Sequence, residues 1–173
     1  MKKLLIVVDM QNDFITGSLG SAQAQAIVPA VREKIETYKK AGDAVIFTRD
    51  THTADYLHTQ EGRRLPVVHC VGGTEGHRIA PELDTAECGV FDKPSFGSLA
   101  LAERVAQMGE LEEIELCGLC SDICVVSNAL ILKARFPETT VTVDTRATAG
   151  VTEESHRAAL LTMKMCQVNI VGE

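Results

Sequence analysis

The sequence has no apolar run long enough to span a bilayer, no excess of positive charge, no internal repeat, no low-complexity stretch and no linker. The first absence excludes a helical membrane protein, because crossing the hydrocarbon core takes about 20 consecutive apolar residues. The second excludes a nucleic-acid or anionic-membrane partner: 17 Lys and Arg stand against 24 Asp and Glu, a formal charge of −7 with a pI near 5.3, which leaves no basic surface to meet phosphate. Without repeats or linkers, 173 residues of which 45% are apolar suit one core and one domain over 1–173. A small-molecule ligand fits such a chain best. The opening "MKKLLIVVDM" has a basic start and an apolar run, then turns acidic with no small-residue cleavage pattern, so it is expected to be the first strand of a cytoplasmic protein. Cys70, Cys88, Cys117, Cys120, Cys124 and Cys166 are expected to be reduced, since a core of this size needs no disulfide staples.

What is present is an alternation. "KLLIVVD" (3–9) and "DAVIFTRD" (43–50) read as strands buried on both faces, and between them Ile27, Val31, Ile35 and Tyr38 recur at about 3.6-residue spacing. The unit repeats through a strand at 112–118, a helix over 121–134, a strand at 139–145, a helix over 152–164 and a strand at 166–172. "CGVFDKP" (88–94) makes a sixth strand. The expected fold is α/β, a three-layer, doubly wound parallel sheet. Residues 50–87, rich in Gly and Pro, form a loop too long to be a mere connection. Ligands of open α/β sheets bind beyond the carboxyl ends of the strands. There the reading places Asp9, Asp50, Lys93 and the cluster from Cys117 to Cys124.

In "ELCGLCSDICVVSNAL", Cys124 lies about three residues into a helix that Ser121 or Asp122 can cap, where free N–H groups and the helix dipole favour a thiolate nucleophile. The alternative is a small buried filler, the commoner role of a cysteine. Cys117-x-x-Cys120 has the spacing of a zinc, Fe–S or redox pair, but Cys70, Cys88 and Cys166 are singletons that supply no second pair. A thiol attacking a carbonyl gains from a base, and a departing amine needs an acid; Asp9 can serve both steps, with Lys93 nearby to hold it ionised and depress the thiol. Taken singly, "FDKPSF" reads as a solvated surface lysine. "TRDTH" points Asp50 and His52 the same way in an extended segment. His69, from the long loop, can close a one-carboxylate, two-histidine site for zinc, iron or manganese. His58, His77 and His156 are expected to face solvent.

Taken in order, these segments resemble the isochorismatase-like cysteine hydrolases, and among them the nicotinamidases. By that resemblance, "VVDMQNDF" implies Asp9 as catalytic acid/base and Phe14 as a ring against the substrate, and "FDKPSFGS" implies Lys93 as the catalytic lysine. "CGLCSDICVVSNAL" implies Cys124 as nucleophile, a cis peptide between Leu119 and Cys120, and an oxyanion hole from the N–H groups of Cys120 and Cys124. "RDTH" with "PVVHCVGGTEG" implies Asp50, His52 and His69 as ligands of a divalent metal ion that orients the substrate ring. Cys117 is left as strand packing. The resemblance further implies a small carboxamide substrate, nicotinamide above others, and a homo-oligomer, either a dimer or a tetramer.

The chain departs from the nicotinamidase pattern around the ring. It has no Trp; Thr51 stands where an aromatic is expected, Tyr56 in the region of a further histidine, and Leu65 in place of a second aromatic. Phe14, Leu65 and Leu119 are then the expected pocket lining. One alternative is a relative in the same superfamily that hydrolyses a carbamoyl or ureido compound and binds its carboxylate through Arg49, Arg63, Arg64 or Arg78. Another is a redox or metal-binding module built on Cys117 and Cys120.

Overall fold

The computed structural model describes residues 3–172; Met1 and Lys2 of the opening decapeptide lie outside them. Six parallel strands form one sheet: β1 (Lys3–Val8), β2 (Ala44–Asp50), β3 (Gly89–Lys93), β4 (Glu113–Leu119), β5 (Thr140–Ala149) and β6 (Asn169–Val171). Their spatial order is β3-β2-β1-β4-β5-β6. The chain winds outward from β1 to β3, returns to lay β4 beside β1, and winds outward again. The β1/β4 junction is therefore the topological switch point, where open α/β sheets hold their ligands.

The helices are α1 (Asn12–Ile15), α2 (Ala22–Ala41), α3 (Gln60–Arg64), α4 (Leu99–Ala106), α5 (Val126–Arg135) and α6 (Glu153–Met165). Because strand side chains alternate, β1 feeds two cores. Leu4, Ile6 and Val8 pack with α4, α5 and Met163 of α6; Leu5 and Val7 pack with Ile27, Val31, Ile35 and Tyr38 of α2. The α2 stripe expected from the spacing is thus the buried one. Ser21 caps α2 by accepting from Ala24 N, and Gly42, at φ 75°, ends it.

Three boundaries differ from the sequence reading. Residues 121–125 wind as a π-helical turn before α5 begins. The fifth strand runs on to Ala149 through a bulge, since Leu116 pairs with Val143 while Gly118 pairs with Thr148. The crossover from β3 to β4 carries α4, whose short buried face of Leu101, Ala102 and Val105 makes a weak periodic signal. Among the described residues, no helix is long and apolar enough to cross a membrane.

Candidate active site

Asp9 follows β1 directly and sits at φ 47°, a left-handed conformation uncommon outside glycine and concentrated at functional sites. Across the switch point the preceding residue, Val8, pairs with Gly118, at φ 105°, where a Cβ would lie 2.2 Å from the Val8 carbonyl oxygen. Only glycine lets β4 come this close to the end of β1. The Leu119–Cys120 peptide beyond it is cis, as the resemblance implies, and it turns the chain into the π-helical segment that carries Cys124.

Asp9, Lys93 and Cys124 converge although they come from three separate strand ends. Lys93 Nζ lies 2.6 Å from Asp9 Oδ2, 3.4 Å from Cys124 Sγ and 3.1 Å from the Ser95 carbonyl oxygen. Thr48 Oγ1 donates to Asp9 Oδ1 at 2.6 Å. Lys93 is fully buried, so the solvated-lysine reading of "FDKPSF" is wrong. Desolvation works against its charge, yet Asp9, Cys124 and Asp50 outweigh it and raise the ammonium's pKa above the ordinary value. For Asp9, burial wins over Lys93 and Thr48 and makes the carboxylate more basic than usual.

Cys124 departs from expectation in two ways. Neither Ser121 nor Asp122 caps its helix: Cys120 occupies that position and makes no side-chain cap bond. Burial, with Asp9 adding to it, also raises the Cys124 thiol well above its ordinary value, and Lys93 only partly opposes this. Burial, more than the lysine beside it, sets the direction of the Cys124 shift, toward the neutral thiol. Cys117 is fully buried in β4, and burial pushes Cys120 up to about 12, so neither is a poised thiolate for redox exchange. All six cysteines are unpaired.

Beside this triad lies a cluster of possible metal ligands: Asp50, His52, His69 and, unforeseen, Glu61, their ligand atoms all within 4.8 Å of one another. His52 Nε2 is 2.9 Å from Asp50 Oδ2 and 3.6 Å from Glu61 Oε1; His69 Nε2 is 3.6 Å and 3.9 Å from the same atoms. Atoms bound to one ion at 2.0–2.2 Å in a tetrahedron lie about 3.3–3.6 Å apart, a value these edges bracket. His69 Nδ1 sits 2.7 Å from the Val67 carbonyl, which can only accept, so Nε2 carries the lone pair. Buried His52 Nε2 and Asp50 Oδ1 make no well-aligned hydrogen bond, and their near neighbours are the other ligand atoms and Lys93, an arrangement open to a cation. Two carboxylates and two imidazoles suit a divalent ion such as zinc. Burial works upward on Asp50, but His52, His69 and Lys93 outweigh it and hold its carboxyl below the usual range.

The long loop is tied down by the residues after Asp9. Fully buried Gln11 accepts from Asp50 N at 2.7 Å and donates to the carbonyls of Asp50 and His77, both at 2.9 Å. Asp13 Oδ2 accepts from Cys70 N at 2.7 Å, next to His69. Tyr56 packs against the rings of both His52 and His69, with centroids at 4.6 and 4.9 Å, and its hydroxyl donates to the Leu65 carbonyl. It supports the cluster and is not a ligand. His77 is buried with Nε2 2.8 Å from Thr51 Oγ1, and His156 is half-buried against Ser121, so both corrections place histidines inside; only His58 faces solvent as expected.

A cavity of about 330 Å³ opens over these groups. Phe14, Leu65, Leu119, Phe96, Ile123 and Val151 supply its apolar walls, and Asp50, Glu61, His69, Cys120 and Cys124 its polar floor. Among the described residues, no arginine or lysine lines it. Arg49 is paired with Asp92, Arg63 with the His58 carbonyl and Arg78 with Glu75.

Residues 3–172 match the family model for the isochorismatase domain. The nicotinamidase/pyrazinamidase of Mycobacterium tuberculosis is 31% identical over 189 residues, covering 98% of each chain. The pyrazinamidase of Pyrococcus horikoshii, solved in complex with zinc, superposes with a TM-score of 0.88 at 28% identity over the full length of both chains. The N-carbamoylsarcosine amidase of Thermoplasma acidophilum follows at 0.79 and 25%, covering 98% of this chain and 95% of that one. With the sheet order, the convergent Asp9, Lys93 and Cys124 and these likenesses in agreement, the chain belongs to the isochorismatase family, as an amidohydrolase of its nicotinamidase-like kind.

Proposed function

We propose that the chain hydrolyses a small aromatic carboxamide, nicotinamide above others, to its carboxylate and ammonia through a thioester on Cys124. The observation that carries this reading is one buried lysine touching both a buried carboxylate and a thiol, Lys93 between Asp9 and Cys124. A thiol held neutral by burial needs a base at the moment of attack, and a carboxylate made more basic by burial is suited to be one.

Asp9 takes the Sγ proton as sulfur bonds to the carboxamide carbon, and the carbonyl electron pair moves onto oxygen, facing the N–H groups of Cys120 and Cys124. When that pair returns, the C–N bond breaks; nitrogen keeps its electrons, receives the proton from Asp9 and leaves as ammonia. In the second half Asp9 removes a proton from water, whose oxygen attacks the thioester carbon. The C–S bond then breaks, and the sulfur recovers its proton from Asp9. Lys93 stays protonated throughout, keeping Asp9 ionic and offsetting the charge that passes over sulfur. Asp50, His52, Glu61 and His69 would hold a divalent ion, which when bound would supply Lewis-acid chemistry toward a ring nitrogen. Phe14, Leu65 and Leu119 offer apolar surface to the ring.

The lining also separates this reading from the carbamoyl alternative. Among the described residues no arginine or lysine lines the cavity to pair a substrate carboxylate, whereas its apolar walls suit a neutral ring. The test is ammonia release from nicotinamide and from an N-carbamoyl amino acid, by protein stripped of metal and reloaded with zinc, iron or manganese. Metal-restored turnover of nicotinamide alone is expected. Folded protein inert to nicotinamide with every ion would overturn the reading.

A further inference from the structure

The proposed reaction leaves His156 without a role, yet it is half-buried in the first turn of α6 with Nδ1 2.7 Å from Ser121 Oγ. Ser121 is fully buried, and among the described residues this imidazole is the hydrogen-bond partner of its hydroxyl. Ser121 directly follows Cys120 and stands three residues before Cys124. A buried hydroxyl with one partner fixes the turn it belongs to against the element supplying that partner, because moving either leaves it unsatisfied. Asp122 adds a second tie to α6: its Oδ2 accepts from Val151 N at 3.0 Å and from Ser155 Oγ. The packing is close, since a Cβ on Gly150 would lie 2.9 Å from His156 Cβ and 3.0 Å from Ser121 Oγ. Gly150 and Val151 also line the cavity. A single patch of α6 and its leading loop therefore braces both the nucleophile turn and the cavity wall.

We propose that His156 is a positioning residue: through Ser121 it holds the π-helical turn so that the N–H groups of Cys120 and Cys124 meet the carbonyl oxygen of the substrate. It touches no reacting atom. The inference rests on the thioester reading, so its test must separate the two. Steady-state kinetics on nicotinamide are measured for the metal-loaded wild type and for H156A, H156N, S121A and the S121A/H156A double variant.

In H156A, kcat falls about tenfold to a hundredfold with KM nearly unchanged, the signature of a misplaced transition-state contact. Asparagine, which returns a polar atom near the position of Nδ1, recovers most of the loss. The double variant is no slower than the worse single one, because both substitutions break the same bond. Wild-type kcat in H156A, or single losses that multiply in the double variant, would overturn the inference. If H156A does not fold, S121A carries the test, and an unchanged kcat there overturns it equally. A wild type inert to nicotinamide would sink the hydrolase reading instead; the brace itself is then judged by amide hydrogen exchange at 120–125, faster in H156A and normal in H156N if it exists, and unchanged in both if it does not.

Discussion

Replacing Lys93 by methionine keeps most of the side-chain volume and removes the ammonium that lies 2.6 Å from Asp9. At an effective dielectric of about 20, two unit charges at that distance attract by about 6 kcal/mol, most of it offset by the cost of bringing both charges inside. Methionine removes the attraction and leaves the carboxylate buried with Thr48 as its neutral partner. Asp9 then has two courses. Staying ionised costs about 3–5 kcal/mol, the usual result of orphaning a buried charge. Taking a proton at pH 7 costs about 4 kcal/mol, measured from an ordinary carboxyl pKa near 3.9, and only about 1.5 kcal/mol at pH 5. The variant should thus be about 4 kcal/mol less stable than the wild type at pH 7, a gap that narrows toward pH 5. The sign follows from linkage: the folded-state pKa of Asp9, already raised in the wild type, is raised further once Lys93 no longer opposes burial, so the variant loses more stability than the wild type as pH rises from the unfolded value toward the folded one. Urea unfolding of both proteins at several pH values, with metal content matched, reads the gap. A gap equal at pH 5 and pH 7 refutes the reasoning, and adding D9N to K93M should recover part of the loss.

In E61Q the site loses one of two negative ligands for a dication, and zinc affinity, read by competition with a chelator, should fall at least about tenfold while the protein stays folded. Removing the ring in F14A takes away about 1–2 kcal/mol of apolar contact, so KM for nicotinamide should rise about tenfold with kcat little changed. Asp144, buried in β5, is held below the ordinary carboxyl range: burial pushes it up, but Arg146 and Lys34 outweigh burial. A depressed carboxyl lends stability above its unfolded pKa that is lost as pH falls through the folded one. The melting temperature of the wild type should therefore fall on acidification below about pH 4, and that of D144N should fall less over the same range.

The triad was legible because a single rule about parallel sheets turns sequence order into proximity: Lys93 ends a strand, Asp9 and Cys124 each follow one, and those ends share one edge. The central strands were legible because they are buried on both faces, as the five consecutive buried residues of β1 illustrate, whereas the edge strands β3 and β6 are largely exposed. Glu61 was hidden because it lies in a five-residue helix within the long loop, where Glu75, Glu82 and Glu87 look the same in sequence. Gln11, His77 and His156 act through contacts between residues 35 to 66 positions apart, which no local pattern encodes. The upward shift of the Cys124 thiol was hidden for a related reason: the helix-end argument is local, whereas the burial that raises the thiol comes from the whole site.

The central claim is covalent catalysis by Cys124. The most direct measurement is acid-quenched mass spectrometry of the metal-loaded protein mixed with excess nicotinamide, followed by peptide mapping, with C124A assayed alongside. The account predicts a nicotinoyl group on the peptide containing Cys124 and no turnover in C124A. Ammonia release by C124A at the wild-type rate, with no acylated cysteine in the wild type, would contradict it.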